Sequence, residues 1–411
     1  MITSPKKVDV LFLGGFYPTQ LLSTVREDSF GKIGFSNHNF EQSIIGGLLQ
    51  QDNLNLRILS APLVYSYPYN NKKLYTPSES YAYKYTHIKS IGFCNLAVVN
   101  KIWMTVSLIF NLLHEFKRFR NRELKVIVNT PNFYYVLALR VAQIFSRKRI
   151  EKLLVVPDIP SFVTSMDRCN PIKSFLLKIL NSLSMKMASS FDHHVLLSDA
   201  MASLFNTKLD YLVMEGLIDL DKIKSSSLTI PIRRKNVILY TGTLRKIFGV
   251  MNLVEAFDNS IFDDAELWIC GSGEASKEIE KRAISNPRIH FYGLVDSEKA
   301  LKMQSQATVL VNPRTSEGEF TKYSFPSKTI EYLLSGAVVV INRLPGIPKE
   351  YYDYVVTPQN ESVEALRTTL RNVLDLTQDE RDSLGKRGKK YIQESKNSKI
   401  QVERLLKMFS K

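Results

Sequence analysis

The segment Ser324–Gly336, reading Ser-Phe-Pro-Ser-Lys-Thr-Ile-Glu-Tyr-Leu-Leu-Ser-Gly, holds the residue types best able to do chemistry in this sequence. Ser324 suits an N-cap, Pro326 a first turn and Gly336 a C-terminal cap, so the spacing predicts a short helix with defined ends. Such a helix opens with unpaired N–H groups, here those of Ser327, Lys328 and Thr329, and with the positive end of its dipole. Together these can hold a phosphate. Glu331 falls one turn further on, on the face of Ser327, and leans back toward the helix start. Beside a diphosphate a carboxylate is repelled unless it accepts hydrogen bonds, and ribose hydroxyls are natural donors. The plainer alternative is a capped surface helix with a solvated glutamate.

Strands must position that helix. Short apolar runs alternate with helical patterns, which predicts parallel sheets built from βαβ units. Residues 8–13, 126–129, 153–156, 194–197 and 212–215 read as strands of a first sheet. The first of them ends in Gly14-Gly15 and leads through a polar loop to a helix around 41–50. Residues 237–240, 267–270, 289–292, 308–311 and 338–341 read as a second sheet, followed by an amphipathic helix over 363–376 and a basic one from 379. The expected fold class is α/β, with two Rossmann-like doubly wound domains facing a central cleft. The expected boundaries are 1–215 for the first domain, 216–234 for a polar, Ser-rich and basic linker, and 235–390 for the second. Residues 391–411 are expected to form a C-terminal helix that packs back on the first domain.

Glu331 and its surroundings resemble the second glutamate of the E-x7-E motif in retaining, family-four glycosyltransferases of the two-domain GT-B fold. The run Glu331-Tyr-Leu-Leu-Ser-Gly-Ala-Val-Val-Val follows that family's glutamate, helix, glycine and strand wording. Asn312-Pro313-Arg314 and the run 319–328 resemble a subgroup that builds bacterial exopolysaccharide, capsule or O-antigen repeats. The likeness covers the second domain and, more loosely, the first. It implies a nucleotide-sugar donor in the second domain, held by Arg314, Tyr323, Ser327, Lys328, Thr329 and Glu331. The family's first glutamate, which contacts the transferred sugar, would fall at Tyr323. Either the Tyr323 hydroxyl serves there, or a carboxylate of the preceding loop does, Glu317 or the favoured Glu319.

Residues 240–249 resemble the family's strand and glycine turn, here at Gly242, which carries an Arg after the first Gly and a Lys before the second. Those positions hold Thr243 and Phe248 in this chain. Arg245 and Lys246, between them, become the candidates to neutralise the leaving diphosphate; the alternative is an exposed basic turn. Gly271 and Gly273, in Cys-Gly-Ser-Gly-Glu, resemble the family's glycine loop near the nucleotide, although a lone Gly-x-Gly is often only a tight turn. Leu294 would lie beside the base. In the first domain, Gly15 lets a ligand approach the backbone. The loop 34–39, with Asn37 and His38, resembles the subgroup's acceptor-side loop. Asp158 stands at a strand end where many relatives carry a His or Asp that contacts the sugar or acceptor; otherwise a strand-end Asp is a helix N-cap.

The chain has 411 residues, 44% apolar and 23% charged, with 55 Lys and Arg against 40 Asp and Glu for a formal net charge of +15. That length suits two domains, and the positive field attracts anions. Basic clusters at 117–122 and 147–149, with the mixed apolar and basic stretch 172–187, predict contact with an anionic membrane surface. Core-facing helices with solvated lysines are the alternative. Nucleic acid is not an expected partner, since no recognition motif accompanies the charge. Cys94, Cys169 and Cys270 are odd in number and lack ligand spacing, which argues against a disulfide framework or zinc site. His38, His193 and His194 read as structural, and neither a metal nor another cofactor is expected. The N-terminus lacks a signal-peptide pattern and no apolar run is long enough to span a bilayer. The expected location is the cytoplasm, peripheral on the inner face of the cell membrane.

The combined expectation is a hexosyltransferase-type enzyme moving a sugar from a UDP-linked donor to a carbohydrate or polyprenyl-diphosphate-linked acceptor. The resemblance implies retention, with a departing phosphate oxygen as base, in bacterial surface polysaccharide synthesis. The rival is a non-catalytic GT-B sugar-binding or accessory subunit, favoured by Tyr323, Thr243 and Phe248. A GT-B sugar-nucleotide epimerase would need an acid/base carboxylate set that the sequence lacks.

Overall fold

The computed structural model describes residues 7–410 apart from 18, 30–34, 63, 65, 69, 84–85, 98, 160–170, 206–207 and 222–235. Cys169, Gly34 and most of the expected linker therefore lie outside the described residues. The chain forms two compact units, Met1–Met214 with Ser398–Lys411, and Glu215–Asn397.

The first unit contains β1 (Val8–Gly14), β2 (Leu54–Ser60), β3 (Tyr75–Thr76), β4 (Glu79–Tyr83), β5 (Thr86–Ser90) and β6 (Phe93–Cys94). It continues with β7 (Lys125–Asn129), β8 (Glu151–Val156), β9 (His193–Leu196) and β10 (Tyr211–Val213). Its main sheet has the order β10-β9-β8-β7-β1-β2-β5-β4, and β3 pairs with β6 in a separate ribbon. All its pairings are parallel except β4 with β5. Strands β1, β7 and β8 are buried almost throughout, because helices cover both faces of a parallel sheet. The sequence reading passed over β2, β4 and β5. β2 carries polar residues whose partners are distant in sequence: Asn55 Nδ2 donates to Asp9, and Arg57 forks onto Glu115. β4 alternates half-buried and exposed residues, as an antiparallel edge strand does.

Right-handed crossovers place helices Val99–Arg118, Phe133–Ser146 and Pro171–Ala188 on one face of this sheet, each packed on the next. The helix Phe35–Leu49 lies on the other face, and the C-terminal helix Ser398–Lys407 packs against it. Gly47 makes that approach possible, since a Cβ there would come within 2.3 Å of the Ser398 carbonyl oxygen.

The second unit is a parallel five-stranded sheet of β11 (Val237–Thr241), β12 (Glu266–Cys270), β13 (Ile289–Phe291), β14 (Val309–Asn312) and β15 (Val338–Ile341). The order is β13-β12-β11-β14-β15. Ile238, Leu267, Ile269, Val309 and Val340 contribute to a continuous core with the helices Val250–Phe257 and Val363–Asp375. A buried ion pair between Glu215 and Lys396 ties the two ends of the unit together, and the Tyr351 hydroxyl donates to Glu215 at 2.7 Å. Strand order reverses between β11 and β14 here, and between β1 and β7 in the first unit. The carboxyl ends flanking such a reversal leave the crevice in which open α/β sheets bind ligands.

Candidate functional site

At the switch point of the second unit, the helix Lys328–Ser335 follows β14. Its inner side is fixed by Tyr332, whose hydroxyl accepts the Thr241 N–H at 2.8 Å and donates to the Thr241 carbonyl at 3.0 Å. The helix start is thereby locked to the end of β11. Thr329, Ile330, Tyr332, Leu333 and Leu334 are buried, which leaves Lys328, Glu331 and Ser335 along the open side. Lys328 Nζ pairs with Glu331 Oε2 at 2.6 Å. Both side chains are about a third exposed, so this i,i+3 pair is weak and a ligand can separate it.

Two expectations for the helix start need correction. Ser324 is not its N-cap: it has extended backbone, its hydroxyl donates to the Phe320 carbonyl at 2.9 Å, and it accepts from Arg314. Ser327 takes the N-cap position without a side-chain cap bond. The Thr329 N–H is not free, since it donates to the Pro326 carbonyl at 2.9 Å. Among the described residues no backbone carbonyl takes the N–H of Ser327 or Lys328. The Thr329 hydroxyl, fully buried, also lacks a hydrogen-bond partner among the described residues.

Arg314 is the most unusual group in this unit. It is only 8% exposed, yet no carboxylate pairs with it among the described residues. Its guanidinium lies 5.1 Å from the Phe248 ring centroid and 4.6 Å from that of Phe320. One terminal nitrogen donates to Ser324 Oγ at 2.9 Å, while Nε is buried without a partner. Burial without a counter-ion pulls the Arg314 pKa down to about 10. A guanidinium stays charged in a protein, so this arrangement favours an anion brought from outside.

The two glycine turns fit against each other. Leu244 N–H donates to the Ser272 carbonyl at 3.0 Å, and a Cβ on Gly271, which has φ +143°, would sit 1.8 Å from the Gly242 oxygen. Gly273 similarly faces the Leu244 backbone. These glycines serve the packing of one loop on the other. Gly271 N–H also donates to Gly293 at 2.7 Å, which brings the turn before the exposed Leu294 alongside. Lys246 is held by Glu278 at 2.7 Å, and its N–H donates to Glu274. Arg245 stacks on Phe248 at 5.7 Å. Glu319 and Tyr323 lie on the short 3-10 turn Glu319–Tyr323, with Glu319 and the earlier Glu317 exposed and Tyr323 half-buried.

In the first unit, the strand end at Gly14-Gly15 meets a group that the sequence reading missed. Glu41 Oε1 accepts the Gly15 N–H at 2.8 Å, and a Cβ on Gly14 would overlap that carboxylate. Glu41 is buried, and burial pushes its carboxyl up to about 8 despite hydrogen bonds from Gly15 and Asn129. A carboxylate on the helix after a Gly-Gly strand end was the available signal. The segment expected as a loop is helical from Phe35, so Asn37 and His38 sit in its first turns. His38 is buried, stacked on Phe16 at 5.9 Å and close to Tyr17. Asp158, just past β8, has an exposed surface but is closely flanked by protein, and desolvation raises its carboxyl to about 6. His193 bridges Glu151 and Asp210 at 2.8 Å each, and His194 is buried and bonds the Ala188 carbonyl. Among the described residues no group of three or more His, Cys, Asp or Glu could hold a metal ion.

Residues 235–375 match the family Glycosyl transferases group 1. Comparison with curated proteins finds no match. Sucrose-phosphate synthase from Thermosynechococcus elongatus is 14% identical over 98% of this chain and 99% of its own, with a TM-score of 0.59. Anabaena Alr3699/HepE, in complex with UDP and glucose, is 12% identical over 98% and 99%, with a TM-score of 0.58. The lipopolysaccharide outer core galactosyltransferase WaaB is 13% identical over the same shares, with a TM-score of 0.59. The chain therefore has the GT-B fold, and the match of residues 235–375 to Glycosyl transferases group 1 together with that fold supports a glycosyltransferase.

Proposed function

We propose that this chain transfers a sugar from a nucleotide sugar to a carbohydrate acceptor, and that the second unit binds the donor diphosphate between Arg314 and the helix start at Ser327. The observation that carries this reading is the buried guanidinium of Arg314, which has no carboxylate partner among the described residues, together with the N–H groups of Ser327 and Lys328, which no backbone carbonyl takes among them. As the glycosidic bond to phosphate breaks, negative charge grows on the leaving diphosphate, and these donors are already oriented toward it. Lys328 leaves Glu331 for the phosphate, which frees the Glu331 carboxylate to accept the ribose hydroxyls.

UDP is the first donor nucleotide to try, because the similarly folded HepE is in complex with UDP and glucose. Retention, with a departing phosphate oxygen taking the acceptor proton, accords with the absence of a strong side-chain base among the described residues near Glu331. The reaction needs no metal in this account, since the cations come from the chain. A lipid-linked acceptor in bacterial surface polysaccharide synthesis fits the basic charge. On the first unit, Asp158, just past a strand end, is the candidate to hold the acceptor or the transferred sugar, as the sequence resemblance implies.

One feature favours the non-catalytic reading: Thr243 and Phe248 stand where the resembled family's glycine turn carries its two cations. Incubation with UDP-, GDP- and ADP-sugars and oligosaccharide acceptors, read by mass spectrometry, separates the two. Transfer or slow donor hydrolysis supports the enzyme; nucleotide binding with neither supports the accessory subunit.

A further inference from the structure

The helix layer on one face of the first unit's sheet has an apolar exterior as well as an apolar interior. On Val99–Arg118, Met104, Leu108, Leu112 and Phe116 point into the core. The opposite side of the same helix exposes Ile102, Trp103, Val106 and Phe110, the last at 68%. The neighbouring helix Phe133–Ser146 exposes Ile144 and Phe145, the latter at 76%. The third, Pro171–Ala188, exposes Phe175, Ile179 and Leu183 at a spacing of four residues, which makes one stripe. Three adjacent helices thus present large apolar side chains to solvent, far more than scattered surface residues would give.

The charge on this layer selects what covers it. The three helices carry seven Lys and Arg but only one acid, Glu115, which is buried against Arg57. A second copy of the chain would set like charges against each other, and protein interfaces are depleted in lysine. An anionic surface with an apolar interior meets both features, and tryptophan favours such a boundary. A groove of about 320 Å³ opens beside the patch, lined by Val136, Leu139, Ile144 and Phe191 with two cations, Arg140 and Lys152. Lys152 Nζ bonds the Ser190 carbonyl at 3.1 Å, whereas Arg140 has neither a hydrogen bond nor an ion pair among the described residues. A cationic groove with apolar walls has the chemistry of a phosphate headgroup site.

We infer that the outer face of the helices Val99–Arg118, Phe133–Ser146 and Pro171–Ala188 docks the chain on an anionic lipid bilayer, with Arg140 and Lys152 receiving a lipid phosphate.

The test is flotation of the full chain with vesicles of neutral phosphatidylcholine, or of the same lipid with about a third phosphatidylglycerol. The wild type should float with the anionic vesicles at least tenfold better and release as salt rises. Trp103→Ser/Phe110→Ser/Phe145→Ser should lose more than tenfold of that partition while keeping its circular dichroism and nucleotide response. Arg140→Gln/Lys152→Gln, which leaves the apolar patch intact, should weaken anionic binding by about fivefold per cation. Should the triple variant not fold, this second variant and the salt series decide. Wild-type chain that stays with the soluble fraction, or floats equally with neutral vesicles, overturns the inference. So does a wild-type dimer in light scattering that the triple variant converts to monomer, since the patch would then be an interface between copies.

Discussion

Replacing Arg314 with Met separates ligand binding from structural support, because the two roles predict opposite signs. The side chain stays long enough to lie between Phe248 and Phe320, but its charge and its bond to Ser324 Oγ are lost. Burial lowers the Arg314 pKa from its ordinary value to about 10, and each pKa unit corresponds to about 1.4 kcal/mol, so the buried charge carries an electrostatic cost of roughly 3 kcal/mol. Arg314→Met removes that cost together with one modest hydrogen bond. Urea denaturation should therefore show stability unchanged or higher by about 1–2 kcal/mol. A charge-assisted contact to phosphate is worth roughly 1.5–3 kcal/mol, so calorimetric affinity for the bound nucleoside diphosphate should fall roughly 10- to 150-fold. A variant destabilised by more than about 2 kcal/mol that binds nucleotide as tightly as wild type refutes the reasoning.

Three further outcomes follow from the same geometry. Glu41 keeps its proton up to about pH 8 in the folded chain, while an ordinary Glu releases it near 4.5. Its contribution is full below pH 4.5 and is lost as pH rises through that window, by up to roughly 3–5 kcal/mol, and Glu41→Gln should flatten the urea midpoint against pH; a wild-type midpoint that is already flat from pH 5 to 8 contradicts this. The Arg245→Ala/Lys246→Ala variant should lower turnover less than Arg314→Met, by about tenfold or under, because the charge of Lys246 is exposed and screened by solvent whereas that of Arg314 is buried. A steeper loss than at Arg314 would return the leaving-group role to the glycine turn. Sugar transfer should be unchanged in excess chelator, and activity that is lost and then restored by magnesium would require a metal in the site.

The buried parallel strands were legible because burial on both faces leaves a plain apolar run, as in Val126–Val128 and Val338–Ile341. The half-exposed β4 and the polar positions of β2 were not, since Asn55 and Arg57 make sense only once Asp9 and Glu115 lie opposite them. The site helix was legible from local signals, but Ser324 misled as a cap. A serine near a helix start can serve either the helix or a neighbour, and here Arg314 and Phe320 claim it. The isolation of Arg314 could not be read along the chain, because Phe248, about sixty residues earlier, makes one wall of its enclosure. The burial of Glu41 was hidden for the same reason: it depends on Gly15 and Asn129 meeting this helical residue from the ends of two strands.

The most direct measurement is a thermal-shift titration of the full chain with UDP, GDP and ADP, set beside Glu331→Ala. At about a hundred times its dissociation constant, a ligand of the folded state adds roughly 2.7 kcal/mol, or about 5–10 °C for a unit of this size. One nucleotide should produce that shift in wild type, and the Glu331 variant should lose most of it through the missing ribose contact. No shift with any nucleoside diphosphate, or an equal shift without Glu331, contradicts the account.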